Sequence, residues 1–327
     1  MIPLLSEDLY GEILSYLCDD IPSLKAASLA NPIMTMAAQK LLFSSVALHA
    51  RKNLLRPALI HHEDDFSGTS ADFEQLLARR PCIASYVRSI HIIDLSYHYE
   101  GYEEDSVVND GPVESDVGKK INGYHLSPGV LMPSIPGDYA SGVHRWLPTD
   151  ISLPLCAPML CNLKSLNISY DGGWHFLSSR ILRSLIDLMQ RPSLVHVRVG
   201  EHIPSSIFNL ALAPNIRHLV LPGLETDDDA EDTQFLIDYS NQPTAPVCLE
   251  SLYTNRPSTF LALLASPKSR VSMSNLRKLV VLSQSTDEHL SISFLLQFCY
   301  DTLEDLEISP THYGMFLIPI SEAEVVY

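Results

Sequence analysis

A seven-residue segment carries the clearest signal of the fold: Asn162-Leu163-Lys164-Ser165-Leu166-Asn167-Ile168. Its aliphatic residues stand at positions 1, 4 and 6 counted from Leu163, and the last two share one face of a β-strand. Five later segments have nearly the same form, and their first aliphatic residues are Leu194, Ile216, Leu249, Leu276 and Leu303. The spacing alone is weak evidence, because aliphatic residues are common enough to produce it about ten times by chance in such a chain.

Two further regularities strengthen the signal. Three segments begin alike, with Asn-Leu-Lys at 162–164, Asn-Ile-Arg at 215–217 and Asn-Leu-Arg at 275–277, and the six first aliphatic residues are 31, 22, 33, 27 and 27 residues apart. The intervals also hold helical stretches, at 176–189, 208–212, 235–239, 260–264 and 294–298. An earlier strand is indicated by Val87, Ile90 and Ile92. The alternation predicts an α/β solenoid with parallel strands on its concave face and helices on its convex face.

The first 50 residues predict a small helical module instead. Ser6 is suited to cap the first helix. The apolar residues that follow with helical spacing are Leu9, Ile13, Leu14 and Leu17. Breaks at Asp19–Pro22 and Asn31-Pro32 separate a second helix, through Leu24 and Leu29, from a third at about Met36 to Phe43. Three short helices bury little surface by themselves, so we expect the module to need a partner or the next domain packed against it.

These patterns divide the chain into five parts. The predicted parts are a helical module (1–50), linker helices with a first repeat strand (51–94), an insertion (95–153), the repeat array (154–310) and a tail (311–327). The insertion is acidic and then rich in Gly, Pro and Ser, so we expect it to be partly disordered. Trp146, near its end, is expected to anchor it to the repeats.

The overall charge argues against two classes of partner. The chain has 39 acidic and 22 basic residues, a net charge of −17, and a surface so acidic repels nucleic acid and anionic membranes. Much of the acidity lies in two stretches, with seven acids between Tyr99 and Gly118 and six between Glu225 and Asp232. We therefore expect neither a nucleic acid nor a membrane as partner.

The cysteines and the hydropathy favour a reducing compartment. The six cysteines are scattered, without the spacing of a disulfide framework, and no apolar run approaches the ~20 residues of a membrane span. The first residues carry Glu7 and Asp8 and no basic residue before Lys25, unlike a signal peptide. These features predict a cytoplasmic or nuclear protein.

No motif for catalysis or metal binding emerges. His61-His62-Glu63-Asp64-Asp65 is contiguous, so its side chains cannot all face one ion, and Cys156 and Cys161 have no second cysteine pair. Asp227-Asp228-Asp229 lacks the alternating ligands and the Gly of a calcium loop. Nucleophile elbows, phosphate loops and zinc-protease motifs are missing too. We therefore expect no cofactor and no metal, and a non-catalytic protein.

The N-terminal module resembles a known family. Residues 5–17, Leu-Ser-Glu-Asp-Leu-Tyr-Gly-Glu-Ile-Leu-Ser-Tyr-Leu, are similar to the opening of an F-box, and 23–29 and 38–43 resemble its second and third helices. Fungal F-box proteins with irregular leucine-rich repeats are the nearest likeness. The resemblance implies docking on the Skp adaptor, and through it on a cullin. The residues implied, as a mixture of adaptor contacts and module core, are Leu5, Leu9, Ile13, Leu17, Leu24 and Leu29.

The concave strand face is the expected site for a protein substrate. Alternation directs positions 3, 5 and 7 of each segment away from the core. The candidates are Ser165, Asn167, His196, Arg198, His218, Ser251, Tyr253, Lys278, Asp305 and Glu307. The sequence thus predicts a substrate-recognition subunit of an SCF-type ubiquitin ligase. The alternative is a non-catalytic repeat scaffold with a vestigial F-box, and an enzyme is a distant third.

Overall fold

Strands and helices alternate through most of the chain. The computed structural model describes residues 7–18, 20–50, 66–94, 145–170, 172–200, 203–204, 212–225, 245–267, 269–283 and 288–310. The α-helices in these ranges are α1 (Glu7–Ser15), α2 (Ile21–Ala30), α3 (Pro32–Leu42), α4 (Ser70–Arg79), α5 (Leu153–Cys156), α6 (Ser179–Met189), α7 (Pro257–Ala265) and α8 (Glu288–Gln297). The strands are β1 (Ser45–His49), β2 (Phe66–Gly68), β3 (Ser89–Asp94), β4 (Ser165–Tyr170), β5 (His196–Val199), β6 (Ile203–Pro204), β7 (His218–Leu221), β8 (Leu224–Glu225), β9 (Val247–Cys248), β10 (Ser251–Thr254), β11 (Val271–Ser272), β12 (Lys278–Ser283) and β13 (Asp305–Pro310).

Nine of these strands form one sheet in which every neighbouring pair is parallel. Its order is β2-β1-β3-β4-β5-β7-β10-β12-β13, so the strands follow the chain except that β2 lies outside β1. The six repeated segments and the earlier one near Val87 each supply a strand, which confirms the predicted α/β arrangement with a large parallel sheet. The sequence does not predict β1 and β2.

One face of the sheet is buried. Aliphatic side chains in register across β4, β5, β7, β10 and β12 are no more than 2% exposed, namely Leu166, Val197, Leu219, Leu252 and Leu279. The helices supply the other side of this core, with Phe73 from α4, Ile181 from α6, Phe260 from α7 and Ile292 from α8. Each buried aliphatic side chain stabilises the fold by about 1.5–3 kcal/mol relative to an exposed one.

Backbone carbonyls tie each strand to the next at its start. The carbonyl of Arg88 accepts the N–H groups of Lys164 (2.7 Å) and Ser165 (2.9 Å), and that of Lys164 accepts those of Val195 (2.9 Å) and His196 (3.0 Å). The carbonyls of Val195, Arg217, Glu250 and Arg277 repeat the pattern. The residue before each strand is thereby fixed, and with it the register of the sheet.

The asparagines that open two segments have a structural role. The side-chain amide of Asn162 donates to the carbonyl of Ser85 (2.9 Å), and that of Asn215 donates to the carbonyl of Pro192 (2.6 Å). Both bonds reach back to the preceding unit, whose loop carbonyls they satisfy. The recurring Asn is therefore a link between units.

The N-terminal helices have a core of their own. It consists of Leu14, Ile21, Leu24, Ala37 and Ala38. The Asp20 carboxylate accepts from the N–H of Ser23 (3.0 Å) and caps α2, while Asn31 accepts from the N–H of Ile33 (2.9 Å) and caps α3. The third helix begins at Pro32, earlier than the predicted Met36, because Asn31 caps it and proline fits the first turn.

The boundaries of the predicted parts differ from the structure at two places. The helical module ends at Leu42 and Ser45–His49 is already a strand of the large sheet, so the module is shorter than 1–50. Residues 145–153, predicted to belong to the insertion, are built into the main fold. The indole N–H of Trp146 donates to the carbonyl of Ile93 (2.8 Å), which confirms its anchoring role.

The buried carboxylate of Asp94 completes this attachment. It accepts the backbone N–H groups of Leu147 (2.9 Å) and Trp146 (3.3 Å) and is 4% exposed. Several predicted parts lie outside the described residues. They are Leu5, Ser6, 51–65, 95–144, residues 208–211 of the helix predicted at 208–212, the helix predicted at 235–239, and the tail 311–327.

Candidate interaction surfaces

An apolar stripe runs along the outer side of α1. Leu9, Ile13 and Tyr16 are 39%, 46% and 84% exposed, whereas their neighbour Leu14 is 1% exposed. A spacing of four residues places Leu9 and Ile13 on one face of α1, and Tyr16 directly follows the last residue of this helix. We call Leu9, Ile13 and Tyr16 the α1 stripe. It is an apolar surface that the module's own core does not use.

The remaining residues predicted for adaptor binding separate into two groups. Leu24 is 1% exposed and belongs to the module's core, so the structure does not present it as a contact. Leu17 is half-buried and packs against the same core. Leu29, by contrast, is 88% exposed on α2, and Met36 on α3 is 47% exposed. Sequence reasoning missed Tyr16 and Met36, whose exposure depends on how the three helices pack.

The sheet face opposite the helices, here called the open face, carries the predicted substrate-binding residues in two rows. The first row crosses the sheet as Ser45, Ser89, Ser165, His196, His218, Ser251, Lys278 and Asp305. The second crosses it as Ala47, His91, Asn167, Arg198, Val220, Tyr253, Val280 and Glu307. All ten candidates from the sequence lie in these rows. Parallel register thus brings together residues that are far apart in the chain.

Two histidines stack on the open face. The rings of His196 and His218 are 4.3 Å apart between centroids and only 8° from parallel. Burial lowers the pKa of both, and for His196 the neighbouring His218 lowers the pKa further. For His218, Glu250 raises the pKa and Arg217 lowers it, both less than burial does. The neutral form of the pair is therefore favoured.

The charges of the sheet are paired at its C-terminal end. Arg217 lies 3.8 Å from Glu250, Arg277 lies 3.9 Å from Glu304, and the Lys278 ammonium lies 3.1 Å from the Asp305 carboxylate. Each pair is partly exposed and contributes at most about 1 kcal/mol to stability. In these pairs each positive charge near the last strands of the sheet lies close to a negative one.

The cations of the other half lack such partners. Arg88 directly precedes β3, Lys164 directly precedes β4, and Arg198 lies in β5. None of the three forms a salt bridge with any other residue that the structure describes. Together with His196 and His218 they form what we call the basic patch. Sequence reasoning identified Arg198 and both histidines but missed Arg88 and Lys164. Their signal was the basic residue that recurs just before the strands.

Tyr253 adds a hydrogen-bond donor beside this patch. It lies opposite Val220, which in turn lies opposite Arg198. Its hydroxyl is buried and has no hydrogen-bond partner among the described residues. Burial raises the pKa of Tyr253, so the hydroxyl keeps its proton. Another polar side chain of the second row, His91, is already used, because its Nε2 lies 2.9 Å from the Ser169 hydroxyl.

Metal-binding geometry is missing from the part of the chain that can be assessed. The described residues contain no group of three or more His, Cys, Asp or Glu side chains able to hold an ion. Cys161 is exposed, whereas Cys156 is buried, and burial raises the pKa of its thiol to about 12. The runs at His61–Asp65 and Asp227–Asp229 lie outside the described residues.

Comparison with known protein families, characterised proteins and solved structures gives no match for this chain. Within the described ranges, no helix combines the length and the apolar character needed to cross a bilayer. The architecture is α/β with a large parallel sheet, preceded by three helices that have a core of their own.

Proposed function

We propose that this chain is the substrate-recognition subunit of an SCF-type, cullin-based ubiquitin ligase. In this proposal α1–α3 are an F-box that binds the Skp adaptor, and the strand–helix units are irregular leucine-rich repeats that hold a protein substrate. The observation that carries the proposal is the α1 stripe, an exposed apolar surface on a helical module whose own core is already complete.

Exposure of the α1 stripe is costly unless another protein covers it. Leu9 is 39% exposed and Ile13 is 46% exposed, although both are large aliphatic residues. Clustered apolar side chains on the surface of a small module are typical of a protein–protein interface. The residues that resemble the F-box opening, 5–17, include the whole stripe.

The repeat sheet supports the second half of the proposal. Its open face spans nine parallel strands and carries polar and charged side chains in register. Repeat folds use such extended surfaces to bind other proteins. A ligase subunit of this kind needs no catalytic group, since its task is to hold the substrate near the enzyme.

The test is a pull-down of the purified full-length chain with the Skp adaptor. The wild type is expected to bind, and Ile13→Asp is expected to abolish detectable binding, because a charge would be buried in an apolar interface. Since Ile13 does not belong to the module's core, the melting temperature of this variant is expected to stay close to that of the wild type.

Two variants make the result specific. Leu290→Asp introduces the same charge at an apolar side chain that is 72% exposed on α8, remote in sequence from the module, and should bind normally. Leu14→Ala should lower the free energy of unfolding by about 2–5 kcal/mol, because Leu14 is buried. Failure of the folded wild type to bind the adaptor would contradict the proposal and favour the repeat scaffold with a vestigial F-box.

A further inference from the structure

The first half of the open face carries the cation Arg198 and no acidic side chain in its two rows, although the net charge of the chain is −17. We propose that this half, from β3 to β7, binds an extended acidic segment of the partner protein. This inference rests on the proposed function, because it names the chemistry of the substrate that the repeats would hold.

The first half of the open face has no acidic side chain in its two rows. In both rows, none of the residues from β1 to β7 is Asp or Glu; they are Ser45, Ser89, Ser165, His196, His218, Ala47, His91, Asn167, Arg198 and Val220. The acid next to His218 is Glu250, which lies 3.8 Å from Arg217. A carboxylate placed on the first half of the open face therefore meets attraction from Arg198, and no acidic side chain of these two rows competes with it.

The second half of the sheet cannot serve the same ligand. Lys278 is paired with Asp305, and the rows end in Asp305 and Glu307. Asp305 and Glu307 would repel an acidic segment from this half, so the segment would bind to the first half only. The chain as a whole is strongly acidic, with a net charge of −17. Arg88, Lys164 and Arg198, which form no salt bridge with other described residues, are therefore a local exception that complements an anionic partner.

The dimensions suit an extended segment. Neighbouring strands are about 4.8 Å apart, so β3 and β7 are separated by about 14 Å, which about four extended residues span. Acidic side chains at alternate positions would all point toward the sheet. The unpartnered hydroxyl of Tyr253 lies next to this path, across Val220 from Arg198, and supplies one more donor.

The experiment measures peptide binding to the full-length chain by fluorescence anisotropy at about 0.15 M salt, where charges beyond about 8 Å are screened. The probe is a labelled peptide in which Glu and Ser alternate, and the control peptide has Gln in place of Glu. We expect the Glu peptide to bind at least about tenfold more tightly than the Gln peptide. A third peptide with phosphoserine in place of Glu shows which anionic group the surface prefers.

Matched variants locate the site. Arg198→Glu is expected to lower the affinity for the Glu peptide by about tenfold or more. Lys164→Glu, at an exposed position, is expected to lower it by about threefold. Arg277→Glu makes the same charge change before β12, outside the basic patch, and should change the affinity by less than about twofold. Melting temperatures establish that each variant is folded.

Two results would overturn the inference: equal affinity for the Glu and Gln peptides, or equal weakening by Arg198→Glu and Arg277→Glu. Neither bears on the helical module. Adaptor binding measured on the same preparation separates the two proposals, because α1 contributes no residue to the basic patch. Adaptor binding without peptide selectivity would leave the ligase assignment in place and remove only the acidic substrate.

Discussion

His196 and His218 link the stability of the sheet to pH at the scale of single residues. Burial lowers the pKa of both side chains in the folded chain, whereas the unfolded chain titrates near 6.5. Below that pH the unfolded state binds more protons than the folded state. The stabilisation from the neutral pair is therefore complete above about pH 6.5 and is lost as the pH falls through the lowered pKa values.

Replacing one ring tests this linkage. His218→Phe keeps an aromatic ring beside His196 but removes one proton-binding site. We expect the free energy of unfolding of the wild type to fall more steeply from pH 7 to pH 5 than that of the variant, each unit of pKa difference contributing about 1.4 kcal/mol. Urea denaturation at several pH values measures this. Parallel curves for the two proteins would contradict the expectation.

The sequence does not show which basic residues form salt bridges. Arg217 and Glu250 are 3.8 Å apart because β7 and β10 are neighbours in register, although the two residues are far apart in the chain. Arg198 has the same charge as Arg217 but forms no salt bridge with any residue in the described ranges. Strand alternation was sufficient to predict the residues of the open face, whereas their pairing depends on three-dimensional register.

At the scale of elements, aliphatic spacing predicted the repeat strands because each buries the same side against one core. The sequence pattern did not predict β1. Only two alternating aliphatic residues, Val46 and Leu48, mark this strand, and only two residues separate it from the end of α3. The start of α3 was also misjudged, since the Asn31-Pro32 pair that interrupts α2 simultaneously begins the next helix. Asn and Pro are found both where a helix ends and where a helix begins, so the sequence alone does not show which of the two such a pair marks.

The cap of α3 gives a prediction at this scale. The Asn31 side chain accepts from the N–H of Ile33, so Asn31→Ala should lower the stability of the helical module by about 1 kcal/mol. Asn31→Ser retains a capping oxygen and should restore most of the loss. Urea denaturation of the three proteins, followed by circular dichroism, compares them. Equal stability of the Ala variant and the wild type would show that this cap contributes nothing.

Over the whole molecule, burial decreases toward the end of the repeat array. Leu306 and Ile308 of β13 are both 43% exposed, although the residues in register with them, Leu279 and Val281, are 0% exposed. The exposed apolar residues Leu290 and Phe294 lie on α8, and the exposed Phe298 directly follows its last residue. Among the described elements, this end of the array has no further unit against it.

Hydrogen exchange should follow this gradient. We expect the amides of β13 to exchange faster than those of β4 and β5, because an edge strand with exposed side chains opens at a lower free energy than central strands. Exchange followed by mass spectrometry over the full-length chain measures the difference. Protection of β13 equal to that of β4 would mean that something covers this edge.

The shared carbonyls at the strand starts have a consequence for how such a protein changes over generations. They fix the register between units locally, whatever length of chain joins the two strands. Ser89 pairs with Ser165 across a connection far longer than the one between Ser251 and Lys278, yet both pairs stand in the same row. Insertions and deletions between strands thus leave the order of side chains on the open face intact. The connections can therefore lengthen or shorten while the open face is preserved, and point substitutions alone can change its side chains.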